Sequence, residues 1–158
     1  MSERHPTHSE PRLPELEWDA ARACRVGRVT LRVRYSETDR IGLVYNAHYL
    51  TWFEIGRTEY MRSLGTAYRS VEEHGFQLPL IEASLRLRAP VQYDDLIVVE
   101  TWISRLRSRA VTFDYRLLHG EAVAAEGRTI HACIRAEDGH SAALPEWLRE
   151  GLEEGRAR

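Results

Sequence analysis

Between Tyr35 and Glu54 the chain reads YSETDRIGLVYNAHYLTWFE. One carboxylate there, Asp39, stands just before Gly42 and shortly before Asn46, where a helix-like apolar pattern begins. The start of a helix carries backbone N–H groups without intrahelical acceptors, at the positive end of the macrodipole. Such donors suit a carbonyl oxygen that is becoming an oxyanion. A carboxylate beside them could attack the carbonyl, or take a proton from a water that does so. The pairing points to acyl transfer. The bland alternative is that Asp39 only caps a turn, since Asp readily bonds to backbone nearby.

Other chemistries find less support. Gly139-His140-Ser141-Ala142-Ala143 is the nearest approach to a serine nucleophile elbow, but it lacks the closing Gly and follows a turn. Cys133 sits in a strand-like run opposite the expected core face, where a thiol is usually inert. With Cys24 as its only companion, it forms no disulfide framework. The seven His residues are scattered, with no metal-binding pair on the long helix. His48 reads as a packing or capping residue, and His5 and His8 as solvated. No Gly-x-Gly-x-x-Gly loop occurs, and no metal or cofactor is implied. All 22 basic side chains are Arg. Without lysine, Schiff-base chemistry, a pyridoxal phosphate anchor and a P-loop are excluded. Arginine's donor fork still suits phosphate groups.

The elements that must position these residues follow from periodicity. Residues 1–14 are polar, with three prolines, and read as a disordered tail ahead of a single domain over 15–158. Val29, Leu31, Val33 and Tyr35 alternate with polar residues, giving a half-buried strand. Asn46 to Leu64 has helical spacing, with Leu50, Phe53, Tyr60, Met61 and Leu64 near one stripe and Gly65 as its stop. A shorter helix is expected from Thr66 to His74. Four strand-like runs follow, at about Phe76–Arg88, Asp95–Arg105, Ala110–His119 and Ala122–Ala136. Pro145 opens a last helix through Leu152. Strands joined by short links pair antiparallel, so the pattern describes an α+β fold with one dominant helix.

At 158 residues and 18.3 kDa the chain can bury a core without staples. A formal net charge of −2 argues against nucleic acid as the main partner. No apolar run could span a bilayer and no signal-peptide pattern opens the chain, so a cytoplasmic protein is expected.

The stretch Tyr35-Ser-Glu-Thr-Asp39-Arg-Ile-Gly42-Leu-Val44-Tyr45-Asn46-Ala47-His48-Tyr49-Leu50 resembles the signature of the 4-hydroxybenzoyl-CoA thioesterase family of hotdog proteins. It is most similar to the bacterial short-chain acyl-CoA thioesterase branch, as is the continuation Phe53-Glu54 to Arg57-Thr58-Glu59. The resemblance implies a hotdog fold, a five-stranded antiparallel sheet wrapped around one long helix. It implies hydrolysis of an acyl-CoA thioester, with Asp39 as nucleophile or general base and the Asn46 amide as oxyanion donor. Gly42 would give the chain room to turn. By their size alone Tyr45, Tyr49, Trp52 and Phe53 could line an aromatic or medium-chain pocket or be ordinary core. Many relatives carry His where this chain has Asn46, which can donate a hydrogen bond but cannot act as a base. Arg105, Arg107, Ser108 and Arg109, at an expected hairpin tip, fall where the family contacts CoA phosphates. Glu54 and Arg57, three apart on the helix, could form a pair or a family packing feature, and are expected to be structural. The resemblance further implies a homodimer or tetramer, with one ligand served from two chains. Two rivals remain at this point. A hotdog hydratase or dehydratase would want a His beside Asp39, and none stands there. A non-catalytic acyl- or CoA-binding module would explain the missing His at Asn46.

Overall fold

The computed structural model describes residues 12–157. The expected tail therefore lies mostly outside the described residues, as do His5 and His8. Its last residue, Pro14, accepts a hydrogen bond from the Ser63 hydroxyl at 2.9 Å.

Strands β1 (Leu16–Asp19) and β2 (Cys24–Arg32) form a hairpin, and a 3-10 turn (Tyr35–Glu37) follows. Helix α1 (Ala47–Ser63) and the short α2 (Tyr68–Glu73) come next, then β3 (Phe76–Gln77) and β4 (Leu80–Leu87). Strands β5 (Leu96–Leu106), β6 (Ala110–His119) and β7 (Ala122–Ala132) run back and forth, and β8 (Ile134–Arg135) and α3 (Glu146–Glu154) complete the chain. The main sheet is ordered β1-β2-β5-β6-β7-β4, and β3 pairs with β8 separately. Every pairing is antiparallel. The chain thus carries α1 across the sheet between β2 and the far edge strand β4, and then fills the gap.

The expectation of five strands is corrected to six in the main sheet, with a further pair beside it. Strand β1, Leu-Glu-Trp-Asp, is too short to show a period. Strand β2 starts at Cys24, ahead of the expected Val29, because Gly27 breaks the apolar alternation there. It also ends before Tyr35, which lies in the 3-10 turn and is 77% exposed. The run Phe76–Arg88 divides at Leu78-Pro79 into β3 and β4, proline having no N–H to give to a ladder.

Helix α1 lies against one face of the sheet. Tyr49, Trp52, Phe53, Gly56, Tyr60 and Met61 are its buried residues, spaced three and four apart as one helical face requires. Phe53 stacks on Tyr115 of β6 with centroids 4.5 Å apart, and Tyr60 meets Phe113 edge-on. Gly127 on β7 leaves the space that the Phe53 ring fills, so a side chain there would collide with it. Leu50, expected on this stripe, is instead 37% exposed. The opposite sheet face is charged: Glu100 is buried and pairs with Arg28 at 3.0 Å and Arg116 at 2.7 Å.

Candidate active site

The segment from Glu37 to Asn46 is a small hairpin leading into α1. Thr38 and Val44 form a bridge across it, and the Asp39 N–H donates to the Leu43 carbonyl at 2.8 Å. The Gly42 N–H donates back to the Asp39 carbonyl at 3.0 Å. Gly42 has φ +81°, a left-handed conformation that favours glycine. The hairpin is tied to the link between β4 and β5, where the Val44 N–H donates to the Val91 carbonyl at 2.9 Å.

Two carboxylates sit at its base. Asp39 is exposed. One oxygen, Oδ1, accepts the Ile41 N–H at 2.8 Å, and Oδ2 accepts nothing among the described residues. Glu37 is only 3% exposed. Its carboxylate accepts the Arg34 N–H at 2.8 Å, the Arg34 Nη2 at 3.0 Å and the Trp52 indole Nε1–H at 3.1 Å. Burial works to raise the Glu37 carboxyl, but these donors outweigh it and hold it below the ordinary carboxylate value. Its own carbonyl accepts the Tyr45 N–H at 3.0 Å. Glu37 thereby joins the end of the first strands, the second turn of α1 and the residue before Asn46. Reading the sequence alone gave Glu37 no role. The available signal was an acidic residue three positions after Arg34 and an indole donor on the following helix.

Asn46 is the N-cap of α1, with φ −55° and ψ −31° and no side-chain cap bond. The N–H groups of Asn46 and Ala47 meet no acceptor among the described residues. The positive end of α1 is thus open beside the hairpin that carries Asp39. Tyr45 is 53% exposed and meets His48 edge-on. Tyr49 is core instead, packed on Trp52 at 5.1 Å, yet it also borders a groove with Val44, Leu87 and Pro90.

The arginine group lies elsewhere. Arg105, Arg107, Ser108 and Arg109 are exposed at the β5–β6 turn, where Arg109 Nη1 donates to the Ser141 carbonyl at 3.2 Å. The Asp39 hairpin bridges to Gln92, near the other end of β5. That strand has 11 residues, so the two groups stand roughly 30 Å apart in one chain. Cys133 is buried, its thiol pushed up by that burial. Among the described residues no three His, Cys, Asp or Glu side chains are grouped to hold a metal ion.

A cavity of about 390 Å³ opens along α1 one turn beyond Asn46, bordered by Leu50, Glu54, Arg57 and Thr58 and by the tip of β4. Glu54 and Arg57 do not pair with each other among the described residues. Instead Arg57 Nη1 donates to the Tyr115 hydroxyl at 3.2 Å, and Tyr115 meets Thr129 Oγ1 at 2.6 Å. Thr129 meets His131 Nε2 at 3.0 Å, and His131 Nδ1 lies 3.0 Å from the Leu78 carbonyl. Burial, with help from the Arg57 charge, pushes His131 down to about 4, so it is neutral at pH 7. Because the Leu78 carbonyl can only accept, Nδ1 carries the proton and Nε2 accepts from Thr129. The chain of donors then runs one way, from Arg57 through Tyr115 and Thr129 to His131.

One long helix packed against an antiparallel sheet is the hotdog architecture. Residues 33–152 match the Thioesterase-like superfamily, and the chain belongs to that family. It is 34% identical over 106 residues to the acyl-CoA thioesterase YbgC of Haemophilus influenzae, covering 66% of this chain and 77% of that one. It is 28% identical over 123 residues to a 1,4-dihydroxy-2-naphthoyl-CoA hydrolase of Synechococcus elongatus, covering 77% and 90%. Among solved structures it is similar to the hypothetical protein TT1821 of Thermus thermophilus. That match has a TM-score of 0.78 at 32% identity and covers 81% of this chain and 98% of the other. No helix among the described residues is long and apolar enough to cross a membrane.

Proposed function

We propose that the protein hydrolyses an acyl-CoA thioester to a carboxylate and free CoA, and that it belongs to the 4-hydroxybenzoyl-CoA thioesterase branch of its family. The observation that carries this reading is the pairing of an exposed Asp39, one oxygen uncommitted, with the unoccupied N–H groups at the start of α1. The thioester carbonyl oxygen accepts from the Asn46 N–H, which draws electrons from the carbon. Asp39 then attacks that carbon or takes a proton from a water that does. The C–S bond breaks and the CoA sulfur takes up a proton to leave as the thiol. On the direct-attack route water then hydrolyses the acyl–Asp39 anhydride, and on either route the acyl group leaves as a carboxylate. Relatives named as acyl-CoA and naphthoyl-CoA hydrolases support the reaction class.

In this reading the working unit is a pair of chains or a multiple of it. Strand β4 is one of the sheet's two edge strands and exposes Leu80, Ile81 and Leu87, a long apolar edge that monomers rarely leave open. A second copy pairing there would cover the groove beside Asp39, and its Arg105, Arg107 and Arg109 would meet the CoA phosphates that one chain cannot reach from its own Asp39.

Free-thiol release from a panel of short, medium, long and aromatic acyl-CoA thioesters tests the function. Turnover on part of the panel is expected, and the ranking defines the acyl group. Binding of CoA with no thiol released from any member would overturn the reading in favour of a binding module.

A further inference from the structure

The cavity along α1 contains a charge that hydrolysis of a plain acyl chain does not require. Arg57 is half-buried at its wall. Of the five N–H donors of a guanidinium, the described residues use one, for the Tyr115 hydroxyl. The relay through Thr129 and His131 ends on the Leu78 carbonyl, so Arg57 is fixed at its head and nothing in the relay neutralises it. A guanidinium left in partly apolar surroundings without a counter-ion is costly, and a carboxylate from a ligand would relieve that cost with two parallel bonds.

Position sets where such a carboxylate would sit on the ligand. Arg57 lies eleven residues after Asn46, roughly 16 Å along the helix axis, and a long helical side chain leans back toward the N-terminus. Glu54, exposed and one turn nearer the helix start, borders the same cavity. A short anionic acyl group would meet Glu54 and be repelled, whereas a longer one would pass it and reach Arg57.

Resting on the thioesterase reading, the geometry points to an acyl group that carries a carboxylate at its far end, with Arg57 as the residue that selects it. The substrates are ω-carboxyacyl-CoA thioesters of medium length, held by the thioester at Asn46 and by the distal carboxylate at Arg57.

The test compares kcat/KM for a graded series of ω-carboxyacyl-CoA thioesters with straight-chain acyl-CoAs of equal carbon number. In wild type the medium-length ω-carboxyl member is expected to be favoured by about tenfold or more, as a charge-assisted paired contact delivers. Arg57→Gln should erase that ratio, largely through KM, and Glu54→Gln should raise activity toward the shorter ω-carboxyl members. Each ratio is taken within one protein sample, so partial unfolding of a variant does not alter it. If Arg57→Gln yields no folded protein, Arg57→Lys serves in its place and should lower the ratio by losing the fork. Wild-type turnover that favours the neutral chains, or a ratio unchanged by the Arg57 variants, overturns the inference while leaving the thioesterase reading intact. Absence of thiol release across both series overturns the two together.

Discussion

Glu37 and Asp39 are two carboxylates two positions apart on one hairpin, and the fold treats them oppositely. Glu37 is buried with four N–H donors on its oxygens, three from Arg34 and one from Trp52. Asp39 stands in solvent with a single backbone donor on one oxygen. A carboxylate surrounded by donors holds structure together and is a poor nucleophile. One that is tethered but half uncommitted can still react. In the proposed mechanism the reactive group is thus built on an adjacent, unreactive one. Glu37 fixes the hairpin to Trp52 and to the residue before Asn46, and Asp39 inherits its place.

The predictions follow from that division of labour. The largest effect should come from Asp39→Asn, which keeps the bond to the Ile41 N–H but loses the charge. Thiol release should fall by about a hundredfold or more, with the unfolding midpoint nearly unchanged. At the helix start, Asn46→Pro removes the N–H at a φ of −55° that proline accepts. It should cost about a hundredfold in kcat, whereas Asn46→Ala, which keeps the N–H, should cost far less. On the other carboxylate, Glu37→Ala strands the Trp52 and Arg34 donors. It should destabilise the fold by about 3 kcal/mol in denaturant titration.

Acid tests the buried wall of the cavity. His131 falls from an ordinary 6.5 to about 4, so the unfolded chain binds a proton that the folded one refuses. Stability is full above about pH 6.5 and declines as pH drops toward 4, by on the order of 3 kcal/mol. The depressed Glu37 carboxyl adds a second loss below its ordinary value of 4.5 as the folded-state carboxylate is finally protonated. Thermal melts across that range check both. The smallest effect belongs to Gly42→Ala, about 1 kcal/mol for a side chain placed at φ +81°.

Much of this arrangement was legible in the sequence. The span of α1, the antiparallel order and the placing of Asp39 before a helix start follow from periodicity and turn chemistry. The short strand β1 was not, because four residues hold no measurable period. Leu50 was misplaced for a related reason. Helical spacing puts it near the apolar stripe, but only the packing shows that the stripe turns away from it and leaves a cavity. Glu37 reads like any surface acid until Trp52 is brought over it. The relay from Arg57 to His131 joins α1, β6 and β7 and ends on the Leu78 carbonyl just before β4, a set of contacts that no local pattern encodes. The resemblance located the arginine turn but could not say that β5 separates it from Asp39 within one chain.

The central claim is that Asp39 does chemistry while Glu37 holds it in place. The most direct test measures kcat/KM on one good acyl-CoA substrate and the unfolding curve for wild type, Asp39→Asn and Glu37→Ala. The account predicts a crossing. Asp39→Asn should lose activity at wild-type stability, and Glu37→Ala should lose stability first and activity only as far as the hairpin loosens. If Asp39→Asn keeps wild-type turnover, Asp39 is a turn residue and the account is wrong.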